Sequence, residues 1–336
     1  MPGKNLCRIR RLSNLPPTFI AAFLTLFLLG CTQSPRGLLD QAALYIPPAP
    51  ASITEANTPA FLLKEPSKTF NQIGTPSVAA GTGQEPEIFV TPEKPAVFFE
   101  SQKFSTTKGV YTNIIYRIHF PEVPLSWASL NLTAGRNPGL LFIYTLDESG
   151  TLLLVTTVHT CGCYLAFFPT EAMPREALPQ NWSTSPQSIY GFTLPSILRF
   201  PNSDTANRIT FTLESEIHRI SDITVTDNST RQAIGQQVQM RMLPMLDLYS
   251  LPYQDKTVPF FETEGSRNGY VKNNTKILER LFISWWALDL HVGEDKAFSI
   301  NDKSDTVFYT SLKFWARKDS DLKNFSAFLQ YWGWQL

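Results

Sequence analysis

The run His159-Thr160-Cys161-Gly162-Cys163 places an imidazole and two thiols within five residues. If residues 151 to 168 form one strand, positions i, i+2 and i+4 share a face and the three side chains stand in a row. Such a row suits Zn(II), Cu(I) or a haem iron, with Gly162 letting the backbone bulge. A fourth donor must come from elsewhere. His119 is the best placed of the other histidines, because Asn113, Arg117 and His119 make a polar stripe opposite Ile114, Tyr116, Ile118 and Phe120. Two other chemistries fit the same residues. Cys161 and Cys163 can close a small, strained and therefore easily reduced disulfide, redox-active or merely structural. They can also remain buried thiols that behave as small hydrophobes. The spacing matches neither a C-x-x-C redox pair nor paired zinc knuckles, and it lacks the C-x-x-C-H of haem attachment.

A second titratable group is Asp289-Leu290-His291, which follows a Trp-rich helical pattern. Its catalytic reading pairs Asp289 as orienter with His291 as base, although no serine in a nucleophile-elbow context accompanies them. Its plain reading is helix termination, with His291 near the negative end of the dipole. Glu214, Glu216 and His218 alternate after an apolar strand pattern and read as the solvated side of a half-buried sheet. The chain contains no G-x-x-x-x-G-K-S/T loop, no G-x-G-x-x-G after a strand and no H-E-x-x-H, so nucleotide-driven chemistry and the commonest zinc proteases lose support.

Strand patterns are the elements available to hold these groups. Residues 110–120, 140–147, 151–159, 163–168, 208–213, 217–225 and 238–246 are rich in β-branched and aromatic residues and bounded by turn formers. Asp147-Glu148-Ser149-Gly150 has hairpin-turn chemistry. The last sixty residues change period: 275–290 and 320–332 carry apolar residues at helical spacing, the second with Ser320 as N-cap. Five of the seven Trp lie there: Trp285, Trp286, Trp315, Trp332 and Trp334. An aromatic stripe of this kind ordinarily packs a helix against a sheet. The expectation is an α+β fold of mainly antiparallel β-structure, a sandwich or open barrel-like sheet, with C-terminal aromatic-rich helices packed on it.

The first eleven residues carry Lys4, Arg8, Arg10 and Arg11 and no acid; an apolar run from Phe19 to Leu29 then ends in Gly30-Cys31. This is a secretory signal pattern, about half as long as a membrane span needs. Leu28-Leu29-Gly30-Cys31 resembles the lipobox of bacterial lipoprotein precursors, and the resemblance stops there. It implies cleavage before Cys31 and a diacylglycerol on its sulfur. Thr32 in place of Asp points to the outer membrane, with the folded part periplasmic or surface-exposed. Residues 31–95, holding ten of the 25 prolines up to Pro95, read as a polar tether, and residues 96–336 as one β-rich domain whose part from 275 is helical. Loss of residues 1–30 leaves 25 basic against 29 acidic residues, net about −4, which disfavours a nucleic-acid partner. The functional expectation is a membrane-anchored binding or redox module holding Zn, Cu or haem through His159, Cys161, Cys163 and His119. The alternative is a structural lipoprotein with a Cys161–Cys163 bridge, docking an envelope protein through Trp332 or Trp334.

Overall fold

A computed structural model describes residues 42–48, 57–81, 85–126, 131–200, 207–234 and 236–336. The signal and Cys31 lie outside the described residues. Short apolar runs between turn formers become eleven strands of two sheets: β1 (Ala42–Ile46), β2 (Ala60–Lys64), β3 (Ala96–Ser105), β4 (Val110–His119), β5 (Gly139–Leu146), β6 (Leu152–His159), β7 (Ala166–Pro169), β8 (Arg208–Leu213), β9 (Ile220–Thr226), β10 (Gln236–Gln239) and β11 (Arg241–Pro244). One sheet runs β7-β6-β5-β4-β3-β11, antiparallel except where β11 joins β3. The other runs β9-β8-β2-β1-β10, with β8–β2 and β1–β10 parallel.

Side-chain alternation along β5 determines the layering. Leu140, Phe142, Tyr144 and Leu146 enter one core with Phe61, Leu63, Ile209 and Phe211 of the five-stranded sheet. Leu141 and Ile143 enter a second core with Phe260, Phe298, Phe308, Phe325, Phe328 and Trp334 of the C-terminal part. The six-stranded sheet is therefore a middle layer covered on both faces, which is why β5 reads as an unbroken apolar run and is buried throughout. The expected α+β architecture is found. The short helix α1 (Asn228–Gln232) is capped by Asp227, whose carboxylate accepts from Thr230 N. Helix α3 (Phe325–Tyr331) lies on the sheet, with Phe325 and Phe328 against Phe104 and Phe167.

Three sequence expectations are corrected. Residues 31–95 are not only a tether, because β1 and β2 occupy the middle of a sheet and the compact unit begins at Leu39. The proline content of this stretch masks two five-residue apolar runs, AALYI and AFLLK, that are too short to show a period. Helix α3 starts at Phe325 with Asn324 as its cap, while Ser320 is buried in the preceding turn. The third concerns helix α2 (Ile277–Ala287), which does not bury its apolar stripe: Ile277, Leu281, Phe282, Trp285 and Trp286 are all exposed, Trp285 to 70%. Among the described residues no helix is long and apolar enough to cross a membrane.

Candidate functional site

Strand β6 ends at His159, and the chain then turns. Gly162 N donates to His159 O at 2.8 Å and His159 N to Cys163 O at 2.9 Å, closing a tight loop. Gly162 takes φ +95°, and a Cβ there would run into the Tyr309 carbonyl, so the turn needs glycine. Because residues 160–165 leave the strand, the row expected for His159, Cys161 and Cys163 does not form. The two cysteines are free thiols. They line a cavity of about 490 Å³ with Leu132, Tyr164, Glu279, Ile283, Leu312 and Trp332 among its walls. His159 faces a different crevice, beside Leu140, Leu194 and Ile220, and packs on Tyr164.

The other proposed ligand is held elsewhere. Arg117 Nε donates to His119 Nε2 at 2.9 Å, and the ring packs edge-on to Phe260. Burial and Arg117 keep His119 neutral, well below its ordinary pKa. Burial likewise drives His159 down to about 3. The stripe of Asn113, Arg117 and His119 is thus no open polar surface but lies under the C-terminal layer, with Arg117 over the Phe261 ring and donating to Lys296 O. Among the described residues, no three His, Cys, Asp or Glu side chains are arranged to hold a metal ion.

What gathers around the thiols is a buried proton and charge network. Cys163 Sγ lies 3.9 Å from Glu279 Oε1, and Cys163 N donates to Cys161 Sγ at 3.4 Å. Lys276 Nζ and Asp295 Oδ2 form a fully buried ion pair at 2.9 Å, and Thr160 Oγ1 donates to the same Asp295. Lys296 Nζ donates to Cys161 O and Glu294 O, both at 3.0 Å, under the Tyr309 ring. Burial opposes a Cys161 thiolate, but the Cys163 hydrogen bond and the Lys276 cation outweigh it and lower the thiol. Cys163 is pushed up by its side-chain hydrogen bond to Cys161 and by burial, so Cys161 is the sulfur that ionises first. Burial also raises Glu279, while Lys276 pulls against it. A carboxyl thus faces the thiol that holds its proton longer, with a cation near the one that ionises first, an arrangement suited to activating cysteine.

Asp289 and His291 do not form a dyad. Asp289 accepts from the His291 backbone N–H at 2.9 Å and from Tyr309 OH at 2.7 Å, while the His291 ring nitrogen Nδ1 sits 3.4 Å from Glu294. The carboxylate anchors the chain after α2, which Leu288 ends with a left-handed backbone. His218 is not on a solvated face either. It is buried in a turn, stacked on Phe120 at 3.8 Å, with Nε2 2.9 Å from Phe70 O. Of the Trp residues expected to dock a partner, Trp334 is a core residue, 1% exposed, and the half-buried Trp332 donates to Thr310 Oγ1.

Lys276, Glu279 and Tyr309 escape a reading of the sequence, and Asp295 and Lys296 are legible only as members of a titratable cluster, Gly293-Glu294-Asp295-Lys296, after a Trp-rich helical pattern. Each lies more than a hundred residues from the cysteines, and only the lone acid inside an apolar helix marks Glu279. Comparisons of the chain with protein-family models, with curated proteins and with solved structures find no match.

Proposed function

We propose that the protein is a cell-envelope lipoprotein, anchored through Cys31, whose folded unit is a binding and redox module working by thiol–disulfide exchange. The observation that carries the redox part is the free Cys161–Cys163 pair at a cavity wall, with Glu279 against the Cys163 sulfur and the Lys276 cation favouring ionisation of Cys161. The Cys161 thiolate attacks one sulfur of a partner disulfide and forms a mixed disulfide, expelling the first partner thiolate. Cys163 passes its proton to Glu279 and displaces the second partner sulfur. The module's dithiol is thereby oxidised to a disulfide, and the partner is reduced to one thiolate and one thiol, the second sulfur taking the proton from Glu279 as it leaves. A ring closed across one residue is strained, so the reverse direction, oxidation of a partner dithiol, is the favoured one.

The test is equilibration of the purified protein in reduced and oxidised glutathione at stepped ratios, followed by acid quench, alkylation and intact mass. The expected result is one two-electron transition between a doubly alkylated and an unalkylated form, absent in Cys161→Ser and Cys163→Ser. Thiols that stay reduced at every ratio, or a bridge that glutathione never opens, would overturn it. The anchor has its own test, because the mature protein taken from its envelope must begin at an acylated Cys31.

A further inference from the structure

Helix α2 presents the strongest unexplained feature of the surface. Ile277, Leu281, Phe282, Trp285 and Trp286 are exposed on it, and Leu288 and Leu290 continue the apolar surface. A second exposed group, Leu312, Phe314 and Trp315, belongs beside it. Arg317 donates to the Ala287 carbonyl at the end of α2, and Leu312 and Ile283 line the same cavity. Isolated exposed apolar residues need no explanation, but a cluster with three indoles does.

We infer that this face lies on the surface of a lipid bilayer. Tryptophan and phenylalanine beside basic residues suit the zone between headgroups and acyl chains, where one end of the ring is apolar and the other wet. The charges around the face agree. Glu279, the one acid of α2, is buried inward, and Asp289 is tied to Tyr309, whereas Arg280, Lys313 and Lys318 are exposed with Asp319 as the only exposed acid between 277 and 290 or 312 and 319. A basic rim of this kind favours anionic headgroups. The chemistry of the face does not depend on the acylation of Cys31 proposed above. Since Leu312 belongs to both the face and the cavity, a body docked this way holds the mouth of the dithiol cavity at the bilayer.

The experiment uses the chain from Thr32 onwards, which lacks the acylated cysteine but contains the whole compact unit Leu39–Leu336. It is mixed with vesicles of phosphatidylethanolamine and phosphatidylglycerol, and binding is read by co-sedimentation and by quenching of tryptophan emission with brominated lipid. The expected result is partition into the vesicles with quenching. The double variant Trp285→Ser, Trp315→Ser, exposed at both positions, should keep the thermal midpoint and lose about tenfold or more in partition. No partition, or a stable dimer in light scattering that shields the same indoles and ignores vesicles, would overturn the inference. If Cys31 proves unmodified in the envelope while this chain still binds vesicles, the anchor fails and the docking face stands. If Cys31 is acylated and this chain does not bind, the reverse holds.

Discussion

Glu279 and Lys276 pull the cysteine thiols in opposite directions, the carboxylate disfavouring and the ammonium favouring a thiolate. Removing Lys276 would strand buried Asp295 and cost about 3–5 kcal/mol, so the informative change is at the acid. Glu279→Gln keeps the shape and deletes the charge. As an anion Glu279 raises both thiols, so the variant should ionise its first sulfur at a lower pH, and the inflection in the rate of alkylation against pH should move down accordingly. An inflection that stays in place or moves up would show that no negative charge acts on the sulfurs. The limits of the sequence are physical here. Two cysteines two apart are legible because their spacing is local. Their ionisation is not, because it is decided by Lys276, Glu279 and Asp295, which only the packing of α2 and the 293–297 segment onto the loop after β6 brings near. Nor does the strand continue through Gly162, whose left-handed backbone ends the alternation and sends His159 to another crevice.

At the scale of elements, the strands after residue 110 are visible in the sequence because apolar and β-branched residues recur between clear turn formers, and β4, β5, β6 and β8 fall within a residue or two of their expected bounds. The strands before residue 96 are not, since β1 and β2 are five residues long and embedded in proline-rich sequence. Their importance follows from topology. β2 lies between β8 and β1, and its Phe61 ring meets Phe142 at 4.9 Å and Phe211 at 6.3 Å. A chain beginning at Ala96, the boundary that composition alone suggests, would leave the β4–β5 face without half of its cover and expose the parallel edge of β8. Such a chain should be insoluble or show no cooperative transition in urea, whereas one beginning at Leu39 should unfold in a single step. Cooperative unfolding of the chain from Ala96 would mean that β1 and β2 are dispensable additions. Helix α2 illustrates the opposite error. Its period is legible, but a period says only that a face is apolar, not what covers it.

Across the whole molecule, burial of ionisable groups sets how stability responds to acid. His159 and His218 are buried with pKa values lowered to about 3, and His119 is also well below the ordinary value near 6.5. A base whose folded pKa is depressed contributes stability that is whole above its unfolded pKa and disappears as pH falls towards the folded one, because the unfolded chain takes up protons first. Three acids oppose this. Burial raises Glu279, Glu100 and Asp321, and their protonation relieves the fold as pH falls. The histidines win between pH 6.5 and 4, since their pKa values are displaced much further. Lowering one histidine's pKa by one is worth about 1.4 kcal/mol, so the loss reaches several kcal/mol against a typical total of about 5–15 kcal/mol. The urea midpoint should therefore fall steeply from pH 6.5 to pH 4 and be nearly level from pH 6.5 to pH 8. A midpoint that holds level down to pH 4 would mean that these histidines are protonated or solvated in the fold.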